Sequence, residues 1–183
     1  MKQRTGLLIV YTGDGKGKTT AALGAVFRAL GHGWKVAVIQ FVKGDWPVVY
    51  GEQESAKKFE KNRQLLFAQK GTGFVGIMGD KKPIQVHLQA AEEALKFAES
   101  IIRDPEYDLV VLDELNGAIE GGLLEVSSVI ATLSKRQASN YIIITGRRAA
   151  PEILALADLV TEMREIKHPF KEKKMHAQLG IDY

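Results

Sequence analysis

Leu7-Leu8-Ile9-Val10-Tyr11-Thr12-Gly13-Asp14-Gly15-Lys16-Gly17-Lys18-Thr19-Thr20 is the stretch that decides how this chain folds. Its first five residues form an unbroken apolar and aromatic run, the pattern of a strand buried on both faces. Three alternating glycines follow, then Lys18-Thr19. From Thr19 to Leu30 the apolar residues take helical spacing, and Gly31-His32-Gly33 closes the helix. Strand, glycine-rich turn, Lys-Thr and helix in that order are the context a phosphate-binding loop requires. Glycines let backbone N–H groups turn inward around phosphate oxygens, and the helix N-terminus adds its positive dipole end. Lys18 can then reach the terminal phosphates, while the Thr19 hydroxyl can ligate Mg²⁺. The usual spacing is G-x-x-x-x-G-K-[ST]; here Thr12 holds the first glycine position and the glycine comes one residue later, at Gly13. The plain alternative is a glycine-rich turn with no ligand.

Working outward, further apolar runs bounded by turn residues read as strands. They are Lys35–Phe41, Leu109–Leu112 and Tyr141–Thr145, with weaker candidates at Gln64–Ala68 and Leu159–Met163. Leu88, Ala91, Leu95, Ala98 and Ile102 lie three and four apart, one face of a helix that ends near Asp104-Pro105. Leu123–Leu133 and Pro151–Ala157 predict two more helices. Strands alternating with helices imply a doubly wound α/β fold, a mostly parallel sheet with helices on both faces. With the phosphate loop this is a P-loop NTPase-like, recombinase-like (RecA-like) domain. Val42–Gly51 and Gly71–Pro83 remain irregular, and long loops in a compact domain are often functional. The 183 residues suit a single nucleotide-binding domain, 1–183, with a tail from about residue 168 that shows no clear period.

Composition narrows the chemistry. Hydrophobic residues make up 45% and charged residues 26%, an ordinary globular balance. No apolar run reaches the roughly 18 residues of a membrane span, and no signal peptide is visible, so the expected location is the cytoplasm, away from membranes. There is no cysteine, which removes disulfides, thiolate nucleophiles and Cys-ligated metal centres. The four histidines, His32, His87, His168 and His176, show no ligand spacing. The net charge of +3 comes from 25 basic and 22 acidic residues without a long basic block, which reads as a solvated surface and no nucleic-acid partner.

A second motif, Leu109-Val110-Val111-Leu112-Asp113-Glu114, ends a strand in two acids. Carboxylates at such a strand end face the phosphates and hold Mg²⁺ directly or through water; the plain alternative is a helix cap. Together the two motifs indicate a nucleoside triphosphate with Mg²⁺. They leave open whether the site hydrolyses it, transfers from it or only senses it.

The order of further motifs carries a resemblance. These are Lys16–Ala22, Arg28-Ala29-Leu30-Gly31-His32-Gly33, Gln40-Phe41-Val42-Lys43-Gly44, Gly71-Thr72-Gly73-Phe74, Leu112-Asp113-Glu114, Ile144-Thr145-Gly146-Arg147 and Ala177–Tyr183. In this order they resemble the P-loop class of ATP:cob(I)alamin (corrinoid) adenosyltransferases, the CobA/CobO/BtuR family, from residue 7 to the last residue. That family also writes its loop with the shifted glycine. The resemblance implies transfer of the 5′-deoxyadenosyl group of ATP to the Co(I) of a reduced corrinoid, with release of triphosphate. ATP and the corrinoid are then co-substrates, with Mg²⁺ as cofactor. An electron-donating reductase such as a flavoprotein is implied as partner, and a homodimer as the assembly. Gly13, Asp14, Gly15, Lys16, Gly17, Lys18, Thr19 and Thr20 become the nucleotide loop, with Arg28 as a further nucleotide contact. Lys18, Thr19 and Glu114 are the catalytic set, and Thr19, Asp113 and Glu114 the metal set. In the family ATP lies reversed in the loop, exposing C5′. Phe74 matches the first of two aromatics that wedge against the corrin and remove its lower axial ligand; the second position is Gly76 here. Two other readings stand beside this one: a P-loop ATPase or kinase of recombinase-like fold with Glu114 as base, and a non-catalytic ATP-dependent corrinoid-binding switch.

Overall fold

The computed structural model describes residues 5–44, 49–60, 64–76 and 79–183. Six strands form one sheet: β1 (Leu8–Thr12), β2 (Val36–Gln40), β3 (Leu65–Gln69), β4 (Leu109–Asp113), β5 (Tyr141–Thr145) and β6 (Leu159–Glu162). They run in the order β3-β2-β4-β5-β1-β6, and every neighbouring pair is parallel. Each expected strand is present, including the two weaker ones.

The helices cover both faces, as expected. α1 (Lys18–Gly31) and α2 (Gly51–Glu60) lie on one side, where Ala22, Val26, Leu30 and Ala56 pack against Val36, Val38, Val111 and Ile143. On the other side α3 (Ile84–Arg103), α4 (Leu115–Glu120), α5 (Val126–Leu133) and α6 (Pro151–Leu156) bury Ala98, Ile102, Ala118, Val129 and Ile153 against Ala37, Ile39, Val110, Leu112, Ile142 and Ile144. Alternate residues of one strand thus feed the two cores, which is why β2 and β4 are buried at every position.

The departures from expectation have local causes. α2 gives little signal in the sequence because Gly51–Glu60 is charge-rich and contributes to the core only a buried Ala56 and a partly buried Phe59. α5 starts at Val126, whereas Leu123 and Leu124 belong to the turn after α4. α4 itself is six residues long and contains Gly117, too brief for a periodic signal. The tail holds one short helix, α7 (Pro169–Lys173), opened by proline at its start.

The chain after β1 crosses over β5 and β4 to reach β2, while the chain after β5 passes β1 to reach β6. α1 therefore leaves on one face and α6 on the other. The crevice between such diverging connections, at the carboxyl ends of the strands, is where α/β sheets bind ligands.

Candidate functional site: a phosphate loop facing two strand-end acids

The loop between β1 and α1 is moulded against the end of β6. The Gly15 N–H donates to the Met163 carbonyl at 2.7 Å, and the Met163 N–H donates to the Thr12 carbonyl at 2.8 Å. Gly13 sits at φ +94°, and a Cβ there would come within 2.4 Å of the Met163 oxygen. Only glycine meets both demands. Gly17 at φ +109° ends the loop and opens α1.

Lys18 is 7% exposed, and its Nζ donates to the carbonyls of Gly13 and Gly15, each at 2.7 Å. Burial lowers its pKa, against the pull of Glu114. Thr19 points across the crevice and its hydroxyl donates to Asp113 Oδ1 at 2.8 Å. The same oxygen accepts from the Thr145 hydroxyl of β5 at 2.7 Å, while Asp113 Oδ2 accepts from Gln40 Nε2 at 2.9 Å and lies 3.5 Å from Lys43 Nζ. Asp113 is thus a 1%-exposed hub that ties β2, β4, β5 and α1 together. Both of its oxygens are engaged, so it faces the cleft through Thr19.

Glu114 adopts the left-handed conformation at φ 60°, with its N–H donating to Thr145 Oγ1 at 2.9 Å. The turn swings its side chain out of the strand line and into the cleft. Burial is the largest influence on this carboxyl and raises its pKa; Asp113 adds repulsion, while Lys43, Lys18 and Arg147 oppose both. Lys43 is held between Asp113 and Glu52 Oε1 (3.1 Å). Burial disfavours its charge, but the two acids outweigh this and hold the ammonium above the ordinary lysine range.

Glu114, Lys43 and Glu52 line one cleft of about 970 Å³, together with Gly15–Thr20, Phe74, Val75, Arg147 and Gly180–Tyr183. The tail closes one wall: Lys16 of the loop forms an ion pair with Asp182. Of the residues expected from sequence, Lys18, Thr19, Thr20, Lys16, Glu114 and Phe74 meet here. Asp113 stands one layer behind them. Asp14 lies instead on a second cavity of about 570 Å³, beside Arg147 and Arg164. Arg28 is not brought to the cleft: it is exposed on α1, about 15 Å along the axis from Lys18 at 1.5 Å per residue. Gln40, Lys43, Thr145 and Arg147 complete the site. Each sits in a quoted motif at a strand end, yet the motifs alone did not say which side chain would turn inward.

The donors present suit a magnesium ion that arrives with the nucleotide. Thr19 offers a hydroxyl oriented by Asp113, and Glu114 offers a carboxylate at the same cleft. Among the described residues no three acids or histidines converge, so phosphate oxygens and water would supply the remaining ligands, the usual arrangement for Mg²⁺.

The ATP:corrinoid adenosyltransferase BtuR/CobO/CobP family model matches residues 4–183. The chain belongs to this family. It is 40% identical over 182 residues to the corrinoid adenosyltransferase of Pseudomonas aeruginosa, spanning all of this chain and 86% of that one. It is 40% identical to the Escherichia coli K12 corrinoid adenosyltransferase, over 97% of this chain and 86% of the relative. The Salmonella typhimurium enzyme is 38% identical, over 100% and 88%. Among solved structures, the flagellar accessory protein FlaH of Methanocaldococcus jannaschii superposes with a TM-score of 0.57 over 87% of this chain and 71% of that one; at 14% identity the likeness is one of fold.

For this adenosyltransferase-family chain, Glu114 gives a prediction of its own. A carboxyl with a higher pKa in the folded than in the unfolded chain stabilises the fold below the unfolded pKa and loses that contribution as pH rises through the folded one. Once ionised, the side chain therefore costs stability. Glu114→Gln is expected to raise the melting temperature at pH 7, by about 2 °C or more, and to raise the Mg²⁺ concentration needed for turnover. The gain in melting temperature should shrink as pH falls toward the acidic range. Thermal melts between pH 5 and 8 check this; an unchanged or lower melting temperature at pH 7 counts against it.

Proposed function

We propose that this protein transfers the 5′-deoxyadenosyl group of ATP to the cobalt of a reduced corrinoid. The observation that carries this reading is the single cleft that joins Lys18, Thr19 and Glu114 to Phe74 and Val75. In the transfer, the electron pair of Co(I) forms the bond to C5′, the C5′–O bond breaks, and triphosphate leaves with that bond's electron pair. Cobalt is itself the nucleophile, so the protein needs no covalent residue or base, in keeping with a chain that has no cysteine. The protein has two tasks. One is to hold the two substrates in line, which can be worth up to roughly 7–11 kcal/mol in well-oriented cases. The other is to stabilise charge on the leaving triphosphate through the loop amides, Lys18, Arg147 and the metal that Thr19 and Glu114 would hold. Lys43 adds a cation whose charge Asp113 and Glu52 maintain. A cytoplasmic location, a homodimer and an electron-donating flavoprotein partner belong to the same reading.

Supplying ATP with chemically reduced corrinoid, then following the cobalt spectrum and the phosphate product, separates the alternatives. Adenosylcorrinoid with triphosphate supports the proposal; ADP supports an ATPase or kinase with Glu114 as base; neither product supports a switch.

Phe74 lies at the corrinoid end in this reading. An aromatic that displaces the lower cobalt ligand helps only while Co(II) must still be reduced. Phe74→Ala is therefore expected to slow the reaction from Co(II) with a mild reductant at least tenfold, and the reaction from Co(I) less than threefold. Equal losses would make Phe74 a packing residue. Gly76, in place of the second aromatic, has open space around it but sits at φ +66°. A tryptophan placed there would be strained by that backbone conformation. One wall of the wedge is then absent unless a loop neighbour such as Ile77 or Met78 replaces it, and both lie outside the described residues.

A further inference from the structure

His87, on the first turns of α3, is 2% exposed and takes no part in the phosphate site. Both of its ring nitrogens are engaged by the segment that carries Phe74. Nδ1 lies 2.9 Å from the Thr72 hydroxyl, two residues before Phe74. Nε2 lies 3.1 Å from Asp80 Oδ2. That oxygen also accepts from the Gly76 N–H at 3.0 Å, two residues after Phe74, and Asp80 Oδ1 accepts from the Lys82 N–H at 3.1 Å. The two amides, Gly76 first, hold the Asp80 carboxyl below the ordinary carboxylate range, so it is an acceptor and the Nε2 proton belongs to histidine. The Lys82 ammonium closes the same loop onto the Thr72 carbonyl at 2.6 Å. Phe74 thus rides on an arch whose two feet rest on one histidine–aspartate pair, Thr72 on the buried His87 and Gly76 on its half-buried partner Asp80.

We propose that His87 is a positioning residue for Phe74, fixing the arch that holds the ring at the mouth of the cleft. The inference rests on the corrinoid reading of Phe74. A buried imidazole needs partners wherever it packs; what favours this reading is that both partners come from the one segment that carries Phe74. With the proton on Nε2, Nδ1 is bare and accepts from the Thr72 hydroxyl.

The test uses the full chain with ATP, Mg²⁺ and cobalamin, started either from Co(II) with a mild reductant or from pre-formed Co(I). His87→Ala is expected to lower the Co(II) reaction at least tenfold and the Co(I) reaction less than threefold, with the KM for ATP within twofold. Phe74→Ala combined with His87→Ala should be no slower than Phe74→Ala alone. Amide hydrogen exchange should quicken across residues 72–76 and stay unchanged across residues 13–20. Thr72→Val, which keeps the shape and removes one foot, should move both readouts the same way and serves if His87→Ala does not fold. Unchanged exchange at 72–76, or equal losses in the two reactions, overturns the proposal. If Phe74→Ala itself shows no Co(II)-specific loss, the corrinoid reading of Phe74 falls, and the exchange measurement alone decides whether His87 holds the arch.

Discussion

Lys18→Ala should reduce adenosyl transfer from Co(I) at least about a hundredfold, the loss that follows removal of one charge-stabilising donor at a developing oxyanion. The side chain lies buried at the floor of the cleft with its ammonium on the carbonyls of Gly13 and Gly15. A phosphate oxygen brought into the loop meets a cation already fixed in place, at little cost in reorganisation. The fold should survive, because Lys18 touches loop backbone and the α1 packing rests on Ala22, Val26 and Leu30. Turnover and a thermal melt measured on the same sample decide the matter. Turnover within tenfold of the parent, with an unchanged melt, would remove Lys18 from the phosphate site.

Asp113→Ala should act in the opposite register, on stability before chemistry. The carboxylate accepts from Thr19, Thr145 and Gln40, and offsets the charge of Lys43. Its removal leaves a buried ammonium with one acid fewer and three polar side chains without their acceptor. Breaking a buried charge pair in this way costs roughly 3–5 kcal/mol, or about 6–20 °C in melting temperature for a domain of this size. Asp113→Asn should recover only part of the loss, because one position of the side chain becomes a donor facing Gln40 Nε2. The contrast with Glu114→Gln is informative: neighbouring acids on one strand end are expected to shift the melt in opposite directions. Asp113→Ala melting within 2 °C of the parent would sink the description of Asp113 as a hub.

Much of this could be read before any coordinates. The strands announced themselves because a parallel sheet buried on both faces demands unbroken apolar runs, as in Val36–Ile39 and Leu109–Leu112. The phosphate loop announced itself because its glycines, Lys18 and Thr19 answer to one ligand at fixed spacing. What stayed hidden depended on pairing between distant segments. Nothing near Gln40 says that its amide will meet Asp113, and nothing near His87 says that Thr72 and Asp80 will close on it. α2 stayed hidden for another reason: a helix that lends only Ala56 and a partly buried Phe59 to the core has little apolar face to display. Arg28 shows the converse, a residue assigned by motif that α1 places on the outer surface, away from the cleft.

The position of β1 in the sheet has a consequence for how the chain is made. Among the described residues β1 precedes every other strand, yet it pairs only with β5 and β6. Its first amide, that of Leu8, is satisfied by Asp158, 150 residues away. The nucleotide loop is likewise shaped by Met163. During synthesis, then, the apolar run Leu7–Val10 waits unpaired while β2, β3 and β4 can already associate. Closing so long a loop comes late and slowly. A nascent chain halted before Met163 would contain every residue of Gly13–Thr20 and still lack the surface that shapes Gly13–Gly15. ATP binding by this protein is therefore a report that the C-terminal third has been made and docked, and a folding experiment that scores bound nucleotide will register the last event, after the sheet's other edge is in place.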